Sequence, residues 1–204
     1  MGECGILGLM KPVQLVDLAG LDPTLKLDIR YATFANFLGR PVYGMARAFL
    51  QREAADALLR VHQSLRAVER GLVVFDGYRP SSVTRIFWEE LPEDKRIFVA
   101  HPDRGSVHNR AMAVDLSLYD LGTGAQIEMP SDFDEMTPRS YIDYEGGSPQ
   151  AIRERHTLRS AMEAQGFQSI PLEWWHYNHP GWEEFPRMNW TFEEVDQKRY
   201  LGSE

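Results

Sequence analysis

The stretch that organises the chain is SVHNRAMAVD, residues 106–115. It places the imidazole of His108 and the carboxylate of Asp115 seven residues apart, at the start of a predicted strand. Side chains alternate between the two faces of a strand, so an odd spacing would point these two groups in opposite directions. If both face one site, the chain must bend between them, and we expect that bend at Asn109-Arg110.

A second carboxylate and a second imidazole lie downstream in EWWH, residues 173–176, as Glu173 and His176. Two His and one Asp form a ligand set that zinc accepts, and three protein ligands leave the fourth tetrahedral position to water, as in catalytic sites. Glu173 would then be free to act as general base to that water. The residues therefore predict a zinc hydrolase with one zinc ion per chain, held by His108, Asp115 and His176.

Length and composition are those of one globular domain. The chain has 204 residues, of which 43% are hydrophobic and 25% charged, which is enough for a single core. A formal net charge of -8 argues against nucleic acid as a partner, because phosphate binding requires a basic surface. Cys4 is the only cysteine, which excludes an intrachain disulfide and a thiolate metal cluster.

The N-terminal sequence does not resemble a targeting segment. No basic residue precedes its apolar run at residues 6–10, and that run is too short for a signal peptide. No apolar run in the sequence is long enough to span a bilayer. We therefore expect a cytoplasmic protein without a membrane partner.

Hydrophobic periodicity predicts alternating strands and helices. Strands are predicted at residues 25–31, 72–75, 111–118 and 172–177, with a short one at 97–99, and helices at 47–70, 83–91 and 151–165. Gly71 is the predicted C-terminal cap of the first helix. Residues 119–150 are predicted to be a long irregular loop of the kind that often binds ligands.

Other polar and aromatic residues have simpler interpretations. Arg79 follows a predicted strand directly, a common position for a functional side chain, although a surface or ion-paired Arg is the more frequent case. Tyr43 is predicted to be a half-buried aromatic residue. The remaining histidines are predicted to lie outside the site, with His62 structural and His156 on an exposed helix face beside Arg155; the other two are His101 and His179.

The ordered set of motifs resembles a known family. Residues 106–115 together with EWWH at 173–176 look like the zinc signature of the D-alanyl-D-alanine dipeptidases, a branch of the D,D-metallopeptidase, lysostaphin and hedgehog-like zinc group. IRYAT at 29–33, NFLGRPVY at 36–43, DGYRP at 76–80, and LRSAM at 158–162 with Gly166-Phe167 resemble the same branch. The resemblance covers roughly residues 29–177.

The resemblance implies a single α+β domain with a central antiparallel sheet, flanking helices and zinc in a cleft on the sheet. It implies the following roles: zinc ligation by His108, Asp115 and His176; general base and acid catalysis by Glu173; contact with the scissile carbonyl oxygen by Arg79; contact with the substrate carboxylate by Ser106 and Tyr31; and contact with the substrate amine by Asp134.

One position departs from the family pattern. The family usually has Gly where this chain has Ala111, and Gly would permit a positive φ or a close approach of backbone. The substitution removes no ligand, but it makes the geometry of the bend before Asp115 an open question.

The whole chain, residues 1–204, is predicted to be one catalytic domain, with an N-terminal extension over 1–26 and a tail over 181–204 that packs on the body. The implied reaction is hydrolysis of the small dipeptide D-Ala-D-Ala to two D-alanines. A D,D-carboxypeptidase acting on longer peptidoglycan peptides and a non-catalytic, hedgehog-like zinc-binding module remain alternatives. The sequence does not indicate an oligomeric state.

Overall fold

The structure, a computed structural model, describes residues 10–201, so Cys4 and nearly all of the N-terminal apolar run lie outside the described residues. The strands are β1 Leu15–Asp17, β2 Lys26–Leu27, β3 Phe49–Gln51, β4 Arg70–Asp76, β5 Ala113–Asp120, β6 Gln168–Ile170 and β7 Glu173–Asn178. The helices are α1 Arg52–Leu65, α2 Ser81–Glu90, α3 Pro149–Ala164 and α4 Phe192–Leu201.

The central sheet has the strand order β2-β4-β5-β7-β6. The pairs β4/β5, β5/β7 and β6/β7 are antiparallel, whereas the edge strand β2 runs parallel to β4. A separate two-stranded sheet joins β1 to β3. The predicted α+β class with a central, mostly antiparallel sheet is therefore confirmed, with the parallel edge strand as an addition.

Helix α1 anchors one side of the sheet. Its fully buried residues, Ala54, Leu58, Val61 and Leu65, recur at three- and four-residue spacing and form the apolar face that packs against β4 and α3. Burial of each large aliphatic side chain contributes roughly 1.5–3 kcal/mol to folding. This apolar face was the strongest periodic signal in the sequence.

The ends of the first helix differ from the prediction. It begins at Arg52 because Phe49–Gln51 pairs with β1 as a strand. It ends at Leu65, followed by a 3-10 turn and by Glu69 in the left-handed region at φ 58°. Gly71 is not the cap. It lies in β4, where a Cβ atom would come within 2.4 Å of the Tyr119 ring.

Two of the predicted strands, at residues 25–31 and 97–99, are mostly turns and 3-10 helices in the structure. Only Lys26–Leu27 of residues 25–31 is a strand, because the chain then turns through a 3-10 helix, Arg30–Ala32, that directs the Tyr31 ring inward. Residues 97–99 do not form a strand. A 3-10 helix occupies Glu93–Phe98, and the acidic residues in its first turn favour a helix start.

The second and third predicted helices are confirmed with small shifts, to Ser81–Glu90 and Pro149–Ala164. The predicted exposure of Arg155 is wrong. This side chain is buried, and its guanidinium donates to the carbonyls of Tyr141 and Tyr144, so it ties the long loop to α3. His156, beside it, is exposed as expected.

The remaining histidines outside the motifs lie where the sequence indicated. His62 is fully buried, accepts from the backbone N–H of Leu72 at 3.1 Å and contacts the Thr24 hydroxyl at 2.8 Å, which is a structural role. His101 is exposed and contacts the ring of Trp88, whereas His179 packs on the ring of Phe167.

The C-terminal segment contributes to the core through four buried side chains, Phe185, Met188, Phe192 and Val195. Among the helices of residues 10–201, none has the length and apolar character needed to cross a bilayer.

The chain bends between His108 and Asp115 as the spacing required. Residues Val107–Arg110 form a 3-10 turn, capped by the Ser106 hydroxyl, and Ala111 follows in the left-handed region at φ 58° and ψ 33°. The bend thus includes the predicted Asn109-Arg110 and extends to Ala111. An L-residue costs roughly 1–2 kcal/mol in this conformation, which explains why Gly suits the position.

This strain predicts unequal effects of two neighbouring Ala→Gly substitutions. Ala111 and Ala113 are both fully buried, but only Ala111 has a positive φ. Ala111→Gly loses a buried methyl but relieves the strain, so we expect the free energy of unfolding to change by less than about 1 kcal/mol. Ala113→Gly loses a buried methyl without relieving any strain, so it should lower the free energy of unfolding by about 1–2 kcal/mol. Urea unfolding measures both, and equal losses would contradict the assignment of strain to Ala111.

Candidate active site

Three potential metal ligands converge at the end of the sheet. Asp115 on β5 and His176 on β7 are register partners in adjacent antiparallel strands, so their side chains lie on the same face. The 3-10 turn brings His108 over them. The three atoms His108 Nε2, His176 Nδ1 and Asp115 Oδ1 are separated by 3.1, 3.0 and 3.3 Å.

The outer nitrogens of both imidazoles have hydrogen-bond acceptors of their own. His108 Nδ1 donates to the carbonyl of Gly77 at 2.7 Å, and His176 Nε2 donates to the Asn178 amide oxygen at 2.8 Å. With these tautomers, His108 Nε2 and His176 Nδ1 both carry lone pairs that point at each other and at Asp115. With both imidazoles neutral, three acceptor atoms face one another with no proton between them, an arrangement that a bound cation would stabilise.

The geometry of this triangle fits a zinc ion. Ligands at about 2.0–2.1 Å from a tetrahedral zinc are roughly 3.3–3.4 Å apart, close to the separations seen here. The three residues are also the one group of potential metal ligands found among residues 10–201. Burial opposes ionisation of Asp115, but the positive charge and hydrogen bonds that His108 and His176 offer when protonated hold the pKa of this carboxyl well below its usual range. The carboxylate is therefore charged and attracts a cation.

Glu173 reaches the same cleft through an irregularity in β7. Residues three apart on a regular strand face opposite sides, yet Glu173 Oε2 lies 3.8 Å from His176 Nδ1. The register of β6 against β7 shifts here, since Ser169 pairs with Tyr177 but Ile170 pairs with Glu173. Burial raises the pKa of the Glu173 carboxyl to about 7.

Arg79 is held on the other side of the metal-ligand triangle. Its Nε and Nη2 atoms donate to Asp76 Oδ2 at 2.9 and 2.8 Å, and Nη2 lies 3.4 Å from Asp115 Oδ2. The guanidinium also lies over the rings of Tyr31 and Phe87, at 5.3 and 4.7 Å from their centroids. Burial disfavours its charge, but Asp76, together with Tyr31, Tyr43 and Asp115, outweighs that effect, and the pKa of Arg79 is well above its usual value.

Asp134 offers a carboxylate oxygen that other described residues leave unsatisfied. Its Oδ1 accepts from the Tyr31 hydroxyl at 3.0 Å, whereas Oδ2 is buried and has no hydrogen-bond partner within the described part of the chain. The residue has a positive φ of 62°, an uncommon conformation for Asp that often marks functional positions. Burial raises the pKa of Asp134 well above its usual value.

Ser106 also lines the cleft. Its oxygen accepts from the backbone N–H of His108 at 3.2 Å, and it caps the 3-10 turn together with Asn109. Because the oxygen is the acceptor in this contact, the hydroxyl hydrogen can still be donated to a ligand.

These side chains surround one cavity of about 290 Å³. It brings together all eight residues predicted from the sequence: Tyr31, Arg79, Ser106, His108, Asp115, Asp134, Glu173 and His176. Its remaining wall is mainly apolar and includes Phe37, Phe87, Phe98, Val99, Met136 and Trp175. A largely apolar pocket with a few convergent polar groups is typical of a small-molecule site.

The sequence interpretation missed three residues that support the site. Asp76 holds Arg79, and Asn178 accepts from the outer nitrogen of His176. Tyr43 is fully buried rather than half-buried, and its hydroxyl donates to Asp76 at 2.8 Å. Asp76 and Tyr43 lie within the motifs that resemble the family, and this was the one sign in the sequence that they matter to the site. No local sequence pattern indicates which side chains they contact.

Comparison with known proteins agrees with this geometry. The D-ala-D-ala dipeptidase model of the peptidase M15 family matches residues 11–197. A D-alanyl-D-alanine dipeptidase of Escherichia coli K12 is 34% identical over 175 residues, covering 86% of this chain and 89% of the relative. Dipeptidases of the same name from Enterococcus faecium and Streptomyces coelicolor are each 37% identical over 171 residues, covering 75% of this chain and 85% of theirs.

Among solved structures, the LD-carboxypeptidase LdcB aligns with a TM-score of 0.48 at 17% identity, covering 86% of this chain and 72% of that chain. The family assignment depends on the sequence relatives and the family model. With a match over residues 11–197 and relatives at 34–37% identity, the chain belongs to the peptidase M15 family of D-Ala-D-Ala dipeptidases and is a metallopeptidase.

Proposed function

We propose that the protein is a zinc-dependent dipeptidase that hydrolyses D-Ala-D-Ala to two D-alanines. The observation that carries the proposal is the meeting of three acceptor atoms, a spare carboxylate and a buried guanidinium in one cavity. Membership of the dipeptidase family supports the choice of substrate. Glu173 and Arg79 beside the metal-ligand triangle argue against a non-catalytic zinc-binding module, which needs neither group.

His108, Asp115 and His176 would hold the ion. Bound zinc would supply a water of lowered pKa and would polarise the peptide carbonyl. The two imidazoles are neutral donors, and their outer hydrogen bonds to Gly77 and Asn178 fix the ring orientation and the tautomer.

Glu173 acts as the base and then as the acid. Its carboxylate takes one proton from the attacking water as the water oxygen bonds to the carbonyl carbon. The carbon–nitrogen bond then breaks, and Glu173 returns the proton to the leaving amine, so that protons balance over the cycle. A buried carboxyl with a pKa of about 7 is suited to both transfers, because the best acid–base catalyst has a pKa near the working pH.

Arg79 supports the developing negative charge on the carbonyl oxygen. Its guanidinium is already paired with Asp76 and packed on the rings of Tyr31 and Phe87. It therefore needs little reorganisation when negative charge forms on the carbonyl oxygen. A single donor of this kind is typically worth about 3 kcal/mol of transition-state stabilisation.

The two ends of the dipeptide have separate candidate partners. Asp134 carries the buried, unsatisfied oxygen, which suits the free ammonium group. Ser106 also lines the cavity and can donate its hydroxyl to the carboxylate. Tyr31 lines the cavity too, with its hydroxyl bonded to Asp134 Oδ1. Recognition of a free amine favours a dipeptidase over a carboxypeptidase that acts on longer peptides.

The reaction and the metal can be tested together. Purified protein loaded with one zinc should release D-alanine from D-Ala-D-Ala, and a chelator should abolish that release. L-Ala-L-Ala serves as the control for stereochemistry. If zinc-loaded protein released no D-alanine from D-Ala-D-Ala, the proposed substrate would be wrong.

Removal of Glu173 should separate metal binding from catalysis. Glu173→Ala should keep one zinc per chain, since the residue is outside the triangle, but lower kcat by roughly 10²–10⁴-fold. Glu163→Ala, on the exposed side of α3, is the matched control and should keep full activity. Metal analysis and steady-state kinetics measure both effects. Wild-type turnover in the Glu173 variant would require another base.

Removal of Asp134 should distinguish the dipeptidase from a carboxypeptidase. Asp134→Ala should lower kcat/KM for D-Ala-D-Ala by about 10–100-fold, as expected when a charged hydrogen bond to substrate is lost. N-acetyl-D-Ala-D-Ala, which has no ammonium group, should be cleaved poorly by both proteins. Preferential cleavage of the acetylated substrate by the wild-type protein would favour the carboxypeptidase reaction.

A further inference from the structure

The conformation of Arg79 depends on the buried carboxylate of Asp76. This carboxylate comes no closer than 3.9 Å to the His108 ring nitrogens, through His108 Nδ1, and is not one of the three candidate metal ligands. Asp76 is the last residue of β4 and does not line the cavity. Its Oδ2 accepts from Arg79 Nε and Nη2 at 2.9 and 2.8 Å. Its Oδ1 accepts from the Tyr43 hydroxyl at 2.8 Å and from the Gly77 N–H at 2.9 Å.

These contacts divide the control of Arg79 between two sets of groups. The rings of Tyr31 and Phe87 lie against the guanidinium and restrict its plane. Asp76 engages Nε and Nη2 at 2.9 and 2.8 Å, closer than the 3.4 Å from Nη2 to Asp115 Oδ2, and so mainly fixes the direction of the guanidinium within that plane. Among the described residues, the hydrogen bonds and ion pairs of the guanidinium run through Nε and Nη2. Arg79 lines the cavity, so Nη1 is the nitrogen left for a ligand there.

The backbone places Asp76 between Arg79 and the 3-10 turn Val107–Arg110, which carries His108. Asp76 pairs with Asp115 across a bulge in the β4/β5 register, which brings the two carboxylates to the same end of the sheet. Gly77 follows, and its carbonyl accepts from His108. A Cβ atom at residue 77 would lie 2.8 Å from the Phe49 carbonyl oxygen, so only Gly permits this close approach.

Tyr43 fixes the far side of the carboxylate. Its backbone N–H donates to the Tyr31 carbonyl at 3.0 Å, and its ring packs on Phe192 of α4 at 4.9 Å between centroids. The hydroxyl therefore comes from a well-packed position and holds Asp76 Oδ1 while Oδ2 holds the arginine.

We propose that Asp76, oriented by Tyr43, is a positioning residue that aims Arg79 Nη1 at the carbonyl oxygen of the scissile peptide. The inference rests on the proposed function, since it presupposes that Arg79 meets this oxygen. Asp76 would stabilise the transition state more than the bound substrate, because the negative charge on the carbonyl oxygen develops during the reaction.

The test uses two near-isosteric variants in the zinc-loaded protein. Asp76→Asn removes the charge that holds the guanidinium, and Tyr43→Phe removes only the hydroxyl that holds Asp76. A misplacement of about 1 Å can lower a rate by roughly 100-fold. We expect kcat to fall about 100-fold for Asp76→Asn and about 10-fold for Tyr43→Phe, with KM changed less than threefold and one zinc retained in each.

The chain supplies matched controls at the other end of β5. Asp120 also accepts from an arginine, Arg70 at 3.1 Å, and from a glycine N–H, that of Gly122 at 3.1 Å. Tyr119 is a buried tyrosine whose hydroxyl donates to the Thr24 carbonyl. Asp120→Asn and Tyr119→Phe should lower thermal stability without changing kcat.

Two further measurements distinguish the orientation of Arg79 by Asp76 and Tyr43 from a general effect on the stability of the fold. The affinity for a phosphinate analogue of D-Ala-D-Ala, which mimics the tetrahedral transition state, should fall by the same factor as kcat/KM. In an Arg79→Gln background, Tyr43→Phe should change kcat/KM less than twofold, because its effect passes through the arginine.

Unchanged kcat and unchanged phosphinate affinity in both variants, measured on folded protein, would overturn the proposal. Loss of zinc in Asp76→Asn would also overturn it, since Asp76 would then act through the metal ligands. These outcomes differ from a failure of the proposed function, which would appear as absence of D-Ala-D-Ala hydrolysis in the zinc-loaded wild-type protein.

Discussion

The structure of the site depends on three lone pairs that face one another at 3.0–3.3 Å. While His108 and His176 are neutral, each keeps its proton on the outer nitrogen and donates it to a neighbour, so no proton lies between the inner nitrogens and Asp115 Oδ1. Such an arrangement is unfavourable without a cation and favourable with one. A metal ion bound here would therefore stabilise the folded protein, as is common for metal sites whose ligands come from separate elements.

The sheet and its two irregularities explain how ligands from distant parts of the sequence meet. Register pairing of β5 with β7 aligns Asp115 with His176, and the left-handed Ala111 turns the chain so that His108 reaches the same face. The shift in β7 adds Glu173. Arg79 follows the end of the neighbouring strand β4, and the Asp76 carboxylate at that end pairs with its guanidinium.

The sequence predicted the three candidate ligands that the structure brings together, the main helices and the class of fold, because these follow from residue chemistry and from periodicity. His108, Asp115 and His176 are recognisable by spacing and type, and α1 by its apolar face. The roles of Asp76, Tyr43 and Asn178 could not be predicted, since each depends on a partner distant in sequence or on a rotamer set by packing. The cap at Glu69 and the two-residue strand β2 also depend on tertiary contacts, which override local propensity.

The central claim is that one zinc ion binds at the convergence of the three side chains, and anomalous diffraction tests it most directly. Crystals of the zinc-loaded protein would be measured above and below the zinc absorption edge. The account predicts a single strong anomalous peak at about 2.0–2.2 Å from His108 Nε2, His176 Nδ1 and Asp115 Oδ1. A peak elsewhere, or one that includes Glu173 in place of any of these ligands, would contradict it.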